Sequence, residues 1–176
     1  MNTDPELVQS AVETLRQGER MLTDISDEAY VRKIDVAFSA SIGGHYRHCL
    51  DHFRALLEAA PAGDLNYDQR ERGTLVEKDR FAALNATREL CAGYEKLDAA
   101  LLARQLKITC KSSYGTDESQ VSPSTVGREV MYVVAHAVHH YALIGVISRV
   151  TGLRLAGGFG VAPSTLKYQA QATKAA

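Results

Sequence analysis

Histidine stands out in this sequence by its number and its placement. The chain has six histidines, and all of them fall in two short segments. They are His45, His48 and His52 in the first segment and His136, His139 and His140 in the second. Neutral imidazole nitrogens are ligands of divalent metals, so clusters of this kind first predict a metal site.

The second cluster has the spacing of two ligands on one helix. His136 and His140 are four residues apart, which places them one turn above each other on the same face. Val133, Leu143 and Ile147 share that face, which therefore points inward. Two inward imidazoles have polar nitrogens that need partners, and they repel each other when protonated. A divalent metal binds the nitrogens of both imidazoles and keeps the two rings unprotonated. Because two ligands from one helix leave the metal site incomplete, we expect a third ligand from a facing helix.

The first cluster offers that third ligand, and its periodicity leaves the choice open. The apolar arc of this helix is centred on Cys49 and Phe53, and charged residues lie opposite. His45 and His52 fall just inside the edge of the arc, whereas His48 falls at its boundary. Helix geometry alone thus slightly favours His45 or His52 and does not decide the matter.

Apolar periodicity predicts the elements that carry both clusters. The predicted helices cover about 5–23 (capped by Asp4), a stretch from Ser39 or Ser41 to about 60, 79–104, and 124–151 (closed by Gly152). The polar segment 61–76 is typical of a long surface connection, and the partly alternating segment 106–115 allows a strand or hairpin. The sequence therefore predicts an all-α, four-helix bundle whose second-to-third connection is long enough for a crossover.

Length and composition are those of one soluble globular domain. The chain has 176 residues, of which 45% are hydrophobic and 23% charged. We assign residues 1–168 to a single domain and expect 169–176 to form a flexible tail. Lysine and arginine number 20, against 21 aspartates and glutamates. This balance argues against a nucleic-acid-binding protein.

Cysteine usage and targeting signals together predict a cytoplasmic protein. Cys49, Cys91 and Cys110 are widely spaced and form no C-x-x-C pair, so we expect buried free thiols rather than disulfides. The acidic start of the sequence is not a signal peptide, and no run approaches about 18 uninterrupted apolar residues. We therefore expect no membrane partner.

Two segments and the order of the elements resemble one known family. The segments are Ser-Ile-Gly-Gly-His-Tyr-Arg-His-Cys-Leu-Asp-His, residues 41–52, and His-Ala-Val-His-His, residues 136–140. They resemble the DinB/YfiT-like family of proposed metalloenzymes, and the resemblance extends from the first helix to about Gly152. It implies a DinB-like four-helix bundle with an up-down-down-up course. It also implies a three-histidine site for a divalent metal, commonly zinc or nickel.

The resemblance selects a ligand set from the two clusters. The family's ligand on the second helix matches His48, and its last-helix pair matches His136 and His140. Where the family often has an acidic or polar residue four positions after the first ligand, this chain has His52. That difference leaves open whether His52 supports the site or is an additional ligand.

The other candidate residues are expected either to support the ligands or to be alternative ligands, and whether His45 or His52 replaces or joins His48 stays open. His139 projects about 60° away from His136 on the helix, so we expect it to pack or to support a ligand rather than bind metal. His45 is either a polar residue at the helix start or a group that faces substrate. Glu129 shares the helical face of His136 and is a candidate to orient an imidazole, whereas Asp51 lies on the charged side.

The expected chemistry is that of an open metal site. Three neutral histidines leave a dication with uncancelled charge and at least one open position, which is typical of catalytic rather than structural zinc. The resemblance implies a thiol-dependent transferase or isomerase that uses a low-molecular-weight thiol and a small-molecule substrate. Arg47 or Arg128 is a candidate to hold a substrate carboxylate.

A non-catalytic function is the alternative hypothesis. In it, the protein is a stress-response helical bundle whose histidines and any metal are structural. The apolar stripes on the first and third predicted helices allow a homodimer in either case.

Overall fold

The computed structural model of the chain describes residues 5–69 and 73–175 and is mostly helical, as the sequence predicts. Asp4, the predicted cap of the first helix, lies outside the described residues. The helices are α1 (Pro5–Asp24), α2 (Asp27–Val31), α3 (Ile42–Ala62), α4 (Leu75–Lys78), α5 (Arg80–Tyr94), α6 (Ala99–Ala103), α7 (Val126–Thr151) and α8 (Pro163–Ala175). A short 3₁₀ turn, Asp35–Ala37, precedes α3.

A three-stranded sheet corrects the all-α prediction. Its strands are β1 (Asp64–Asn66), β2 (Gln105–Cys110) and β3 (Gln120–Thr125), in the order β1-β2-β3. The β2–β3 pair is antiparallel. β2 confirms a strand in the predicted segment 106–115, whereas its partner β3 lies beyond that segment. The β1–β2 pair is parallel, with Leu65 opposite Ile108. The sheet therefore ties the segment after α3 to the segment before α7.

Local side-chain chemistry sets the ends of the two helices that carry the histidines. The Ser41 hydroxyl accepts a hydrogen bond from the Gly44 backbone N–H at 3.0 Å and so caps the start of α3. Gly63 ends α3 with a φ of 92°. Thr125 caps α7, and Gly152 ends it with a φ of 77°. Glycine adopts this left-handed conformation without a steric cost, so the predicted end of the fourth helix is confirmed.

The core lies among four long helices. α1 packs against α5 and α7, and α3 packs against the same two helices. Tyr46, Tyr94 and Tyr141 are fully buried there. Their hydroxyls have partners: Tyr46 contacts Thr87 at 2.8 Å, and the other two donate to backbone carbonyls. Because buried hydroxyls without partners destabilise a fold, these bonds make an aromatic core tolerable.

Two predicted boundaries were wrong. The segment 61–76 is not only a surface connection, since it contains β1 and the start of α4, and Leu65 and Tyr67 are 2% and 8% exposed. The third predicted helix is interrupted after Tyr94. Asp98 then caps α6 by accepting from the Leu101 N–H at 2.8 Å. The apolar spacing continues through this break and predicted one helix, but the cap formed by Asp98 starts a separate helix.

The last two helices, α7 and α8, relate to the predicted flexible tail and to the expectation of no membrane partner. α8 covers most of the predicted tail, and its described side chains are exposed, so flexibility there stays a prediction. α7 is long and apolar enough to cross a membrane. Core helices of soluble proteins meet the same criterion, and α7 carries the fully buried Glu129. Its length and composition are therefore weak grounds for a membrane span.

Candidate metal centre

Antiparallel packing of α3 against α7 brings the two histidine clusters together. His45 contacts His140, and His48 contacts His136, each through ring nitrogens 3.0 Å apart. As residue numbers rise along α3 they therefore fall along α7. The spacing of three residues on one helix and four on the other keeps both pairs on facing surfaces.

Three of the six histidines converge on one point. His48, His136 and His140 each offer a ring nitrogen, and these three atoms lie within 4.8 Å of one another. The His48 and His136 Nε2 atoms are 3.0 Å apart. All three side chains are half-buried, so the group opens toward solvent between α3 and α7. These are the residues that the family resemblance selects, and a metal bound to them stays a prediction.

The surroundings of the cluster favour uncharged imidazoles. Burial, followed by the proximity of His136 and His45, lowers the pKa of His140 to about 3. Burial, and then the nearby His139, lowers the pKa of His45. Both rings are thus neutral at physiological pH, which is the form that binds a metal.

His52 is the most enclosed of the six. Its side chain is 4% exposed, and its Nδ1 is 2.9 Å from the backbone oxygen of His48. Since a carbonyl only accepts, Nδ1 of His52 donates to it. The His52 ring also stacks on that of His136, with 4.1 Å between centroids. His52 therefore buttresses two members of the cluster from one side.

The remaining two histidines differ in exposure. His45 is half-buried and touches His140 through Nδ1. His139 is exposed, and its ring lies edge-on to that of His140 with 5.3 Å between centroids. The exposure of His139 agrees with its predicted projection away from His136.

Glu129 is a buried carboxylate near the cluster that accepts hydrogen bonds from several side chains. It is 1% exposed. Its Oε2 accepts from the Tyr67 hydroxyl at 2.9 Å, and its Oε1 accepts from Ser124 and Arg128, both at 2.7 Å. The Tyr67 ring stacks on His52, with centroids 5.0 Å apart. The structure thus connects Glu129 to the histidines through Tyr67.

Sequence reasoning missed two tyrosines at the site. Tyr132 stacks on His136 at 5.7 Å between centroids, and Tyr67 is 5.2 Å from Tyr132. Tyr132 stands four residues before His136, so helical spacing alone could have found it. Tyr67 had no such signal, since it follows a three-residue strand inside a polar segment.

The two candidate substrate-binding arginines are engaged within the protein. Arg47 pairs with Asp51 and with Glu77, the latter at 3.0 Å. Arg128 donates to Glu129 and lies over the Tyr132 ring at 5.6 Å. A substrate carboxylate at either arginine would compete with these partners.

Cys49, beside the cluster, is not a reactive thiol for the site, and the large surface cavity does not include the histidines. Cys49 is 1% exposed, and burial raises the pKa of its thiol. A cavity of about 510 Å³ lies between the second half of α7 and the segment 153–161. Its lining, as far as the chain is described, includes no histidine. The histidine cluster is therefore the better candidate site.

Comparisons with known proteins support the fold. No protein-family model matches the chain. The solved structure of a DinB-like protein (YjoA) from Bacillus subtilis superimposes with a TM-score of 0.61 at 19% sequence identity, covering 85% of this chain and 93% of that chain. The chain therefore has a DinB-like fold, as the resemblance of its motifs predicted.

One curated relative matches part of the sequence. The chain is 35% identical over 104 residues to FK506-binding protein 5 from Rhizopus delemar. The match covers 59% of this chain and 27% of that protein. The match thus spans about a quarter of the length of that relative.

Proposed function

We propose that the protein is a divalent-metal-dependent enzyme whose ligands are His48, His136 and His140. The observation that carries this proposal is the convergence of three ring nitrogens within 4.8 Å of one another, from two helices. The mutual packing of α1, α3, α5 and α7, with α3 and α7 running in opposite directions, supports the up-down-down-up bundle that the family resemblance implies.

The donor set fits a metal of intermediate softness. Three neutral imidazoles suit zinc or nickel, and the predicted ligands include no thiolate or carboxylate. Such a metal, when bound, activates water or a thiol or polarises a carbonyl. The chain's own part is to hold the His140 imidazole neutral, to orient the ligands through stacked neighbours such as His52, and to leave one side open to solvent.

A thiol-dependent transferase or isomerase is the activity we propose. Cys49 directly follows His48, but its thiol is buried and has a raised pKa. A reactive thiolate at the site would therefore come from a low-molecular-weight co-substrate. A cytoplasmic location and a homodimer complete the proposal.

Metal content of purified variants tests the ligand set. We expect bound zinc or nickel in the wild type and in His139→Ala, and loss of metal in His48→Ala, His136→Ala and His140→Ala, measured by elemental analysis. His139→Ala is the matched control, because it removes an exposed imidazole from the same helix turn. Unchanged metal in the three ligand variants would contradict the assignment.

One observation favours the non-catalytic alternative. The Nε2 atoms of His48 and His136 lie at hydrogen-bond distance, so part of the cluster is satisfied without a metal. Screening the metal-loaded protein for thiol transfer separates the two functions. A loaded protein that is inert in the screen and loses its fold on chelation would favour a structural role.

A further inference from the structure

His45 makes a defined contact with one member of the cluster. Its Nδ1 lies 3.0 Å from Nδ1 of His140. Two nitrogens bound to one zinc at about 2.0–2.1 Å can be no more than about 4.2 Å apart. Among the described residues, only His48, His136 and His140 form a histidine group whose ring nitrogens all lie within 4.8 Å of one another, close to this limit. His45 thus touches a predicted ligand from outside the ligand group.

The contact restricts where the His140 proton can be. A neutral imidazole has one N–H and one lone pair, and 3.0 Å is hydrogen-bond distance, so one of the two Nδ1 atoms donates. If His45 donated, Nδ1 of His140 would use its lone pair and the His140 proton would be on Nε2. No nitrogen of His140 would then be left to bind a metal. Only a His140 that donates from Nδ1 keeps its Nε2 lone pair available.

We infer that His45 is a positioning residue that accepts the Nδ1 proton of His140 and thereby fixes the His140 tautomer and ring orientation for metal binding. The inference rests on the proposed metal site. It assigns to an imidazole the supporting role that a carboxylate or a backbone carbonyl usually fills beside a metal-bound histidine.

The first turn of α3 is built to hold His45 still. Ser41 caps this turn. Gly43 packs so closely on the backbone of Glu77 that a Cβ there would overlap the Glu77 carbonyl oxygen. α3 is thus anchored to α4 two residues before His45. A fixed backbone lowers the entropy lost when the His45 ring is held against His140.

Two substitutions separate the hydrogen bond from the bulk of the side chain. His45→Asn places an amide oxygen near the former Nδ1 position and keeps an acceptor there, whereas His45→Leu keeps volume and removes the acceptor. His139→Leu is the matched control, because it removes an exposed ring beside the same His140. Zinc affinity is measured by competition with a chromophoric chelator. Circular dichroism confirms that each variant is folded.

We expect His45→Leu to weaken zinc binding by about 10- to 100-fold, the usual effect of losing a partner of a metal-bound histidine. His45→Asn and His139→Leu should bind zinc as the wild type does. Equal affinity of His45→Leu and wild type would overturn the inference and leave the metal site standing. A wild type that binds neither zinc nor nickel would overturn both.

The tautomer itself is a readout that does not depend on any variant folding. Nitrogen–proton correlation spectra of the zinc-loaded wild type should show the His140 proton on Nδ1. A proton on Nε2 of His140 would contradict the inference. X-ray absorption should count three imidazoles in wild type and in His45→Leu; four in the wild type, falling to three in the variant, would make His45 a ligand instead.

Discussion

At the scale of single residues, burial and then the crowding of neighbouring rings lower the pKa values of His140 and His45. The ring centroids of His136 and His140 are 4.6 Å apart, and His48 is equally close to His140. A proton added to one ring repels the next, and burial removes the water that would solvate the charge. The cluster is therefore poorly suited to protonation, and uncharged imidazoles are compatible with a divalent metal.

The lowered pKa of His140 predicts how the metal-free protein responds to acid. The pKa of His140 is about 3 in the folded protein and 6.5 ordinarily. Between these values the unfolded chain binds more protons than the folded one, so stability falls as pH drops below about 6.5. Urea midpoints of the metal-free protein should decrease from pH 7.5 to pH 5. His140→Asn should show a shallower decrease, and equal slopes would contradict the prediction.

Glu129 sets a second expectation at this scale. Its carboxylate is buried and accepts from Tyr67, Ser124 and Arg128. Glu129→Ala leaves the Tyr67 hydroxyl without this acceptor, so we expect a loss of about 2–4 kcal/mol in unfolding free energy. Glu129→Gln keeps an acceptor and should lose less. Chemical denaturation measures both, and an alanine variant as stable as wild type would refute the proposed contribution of this network.

Single residues also show which of the candidate ligands could be predicted from the sequence. The His136 and His140 pair could be recognised from its spacing, because four residues make one helical turn. His48 could not be separated from His45 and His52 by periodicity. All three contact histidines of α7, and which of them places a nitrogen where His136 and His140 converge depends on the angle between the two helices. That angle comes from packing across the core, which a single helical pattern does not contain.

At the scale of elements, residues with strong local preferences were predicted well. Ser41 and Gly152 mark helix ends where they were expected, since each satisfies backbone groups locally. The interruption after Tyr94 and the strand β1 were missed. β1 has three residues and exists through its pairing with residues of β2 that lie 43 positions later in the chain. No local pattern records such a partner.

Close packing of α1 against its neighbours gives a testable difference between two helical glycines. A Cβ at Gly18 would overlap the buried ring of Tyr46 and the hydroxyl of Tyr141, whereas a Cβ at Gly145 in α7 meets nothing within 4 Å. Alanine gains about 1 kcal/mol of helix propensity at either site. Overpacking at Gly18 costs about 1–3 kcal/mol.

We therefore expect Gly18→Ala to be destabilised and Gly145→Ala to be stabilised, as measured by thermal denaturation. A stabilised Gly18→Ala variant would mean that Tyr46 and Tyr141 can move apart. The two changes are chemically identical, so the comparison isolates packing from propensity.

At the scale of the whole molecule, the fold joins the candidate ligands across the chain. His48 is 88 residues before His136, and the two come together only when α3 and α7 are packed. The unfolded chain cannot hold three converging nitrogens, so a metal that binds them binds the folded state preferentially. The same logic applies whether the metal is catalytic or structural.

Zinc should therefore raise the melting temperature of the wild type. At a free concentration of 100 times the dissociation constant, the added stability is about 2.7 kcal/mol. A chelator should reverse the increase. His139→Ala should respond like wild type, and His136→Ala should not respond. Scanning calorimetry measures the shift, and a wild type whose melting temperature ignores zinc would contradict the prediction.

The opposed directions of α3 and α7 have a mechanical consequence. Each pair of facing imidazoles touches at 3.0 Å, and sliding one helix past the other by a single turn displaces them by about 5.4 Å. A metal held by His48 on one helix and by His136 and His140 on the other would cross-link the two helices and resist such sliding. Under a pulling force along the helix axes, the metal–histidine bonds of the loaded protein should break before α3 and α7 slide past each other.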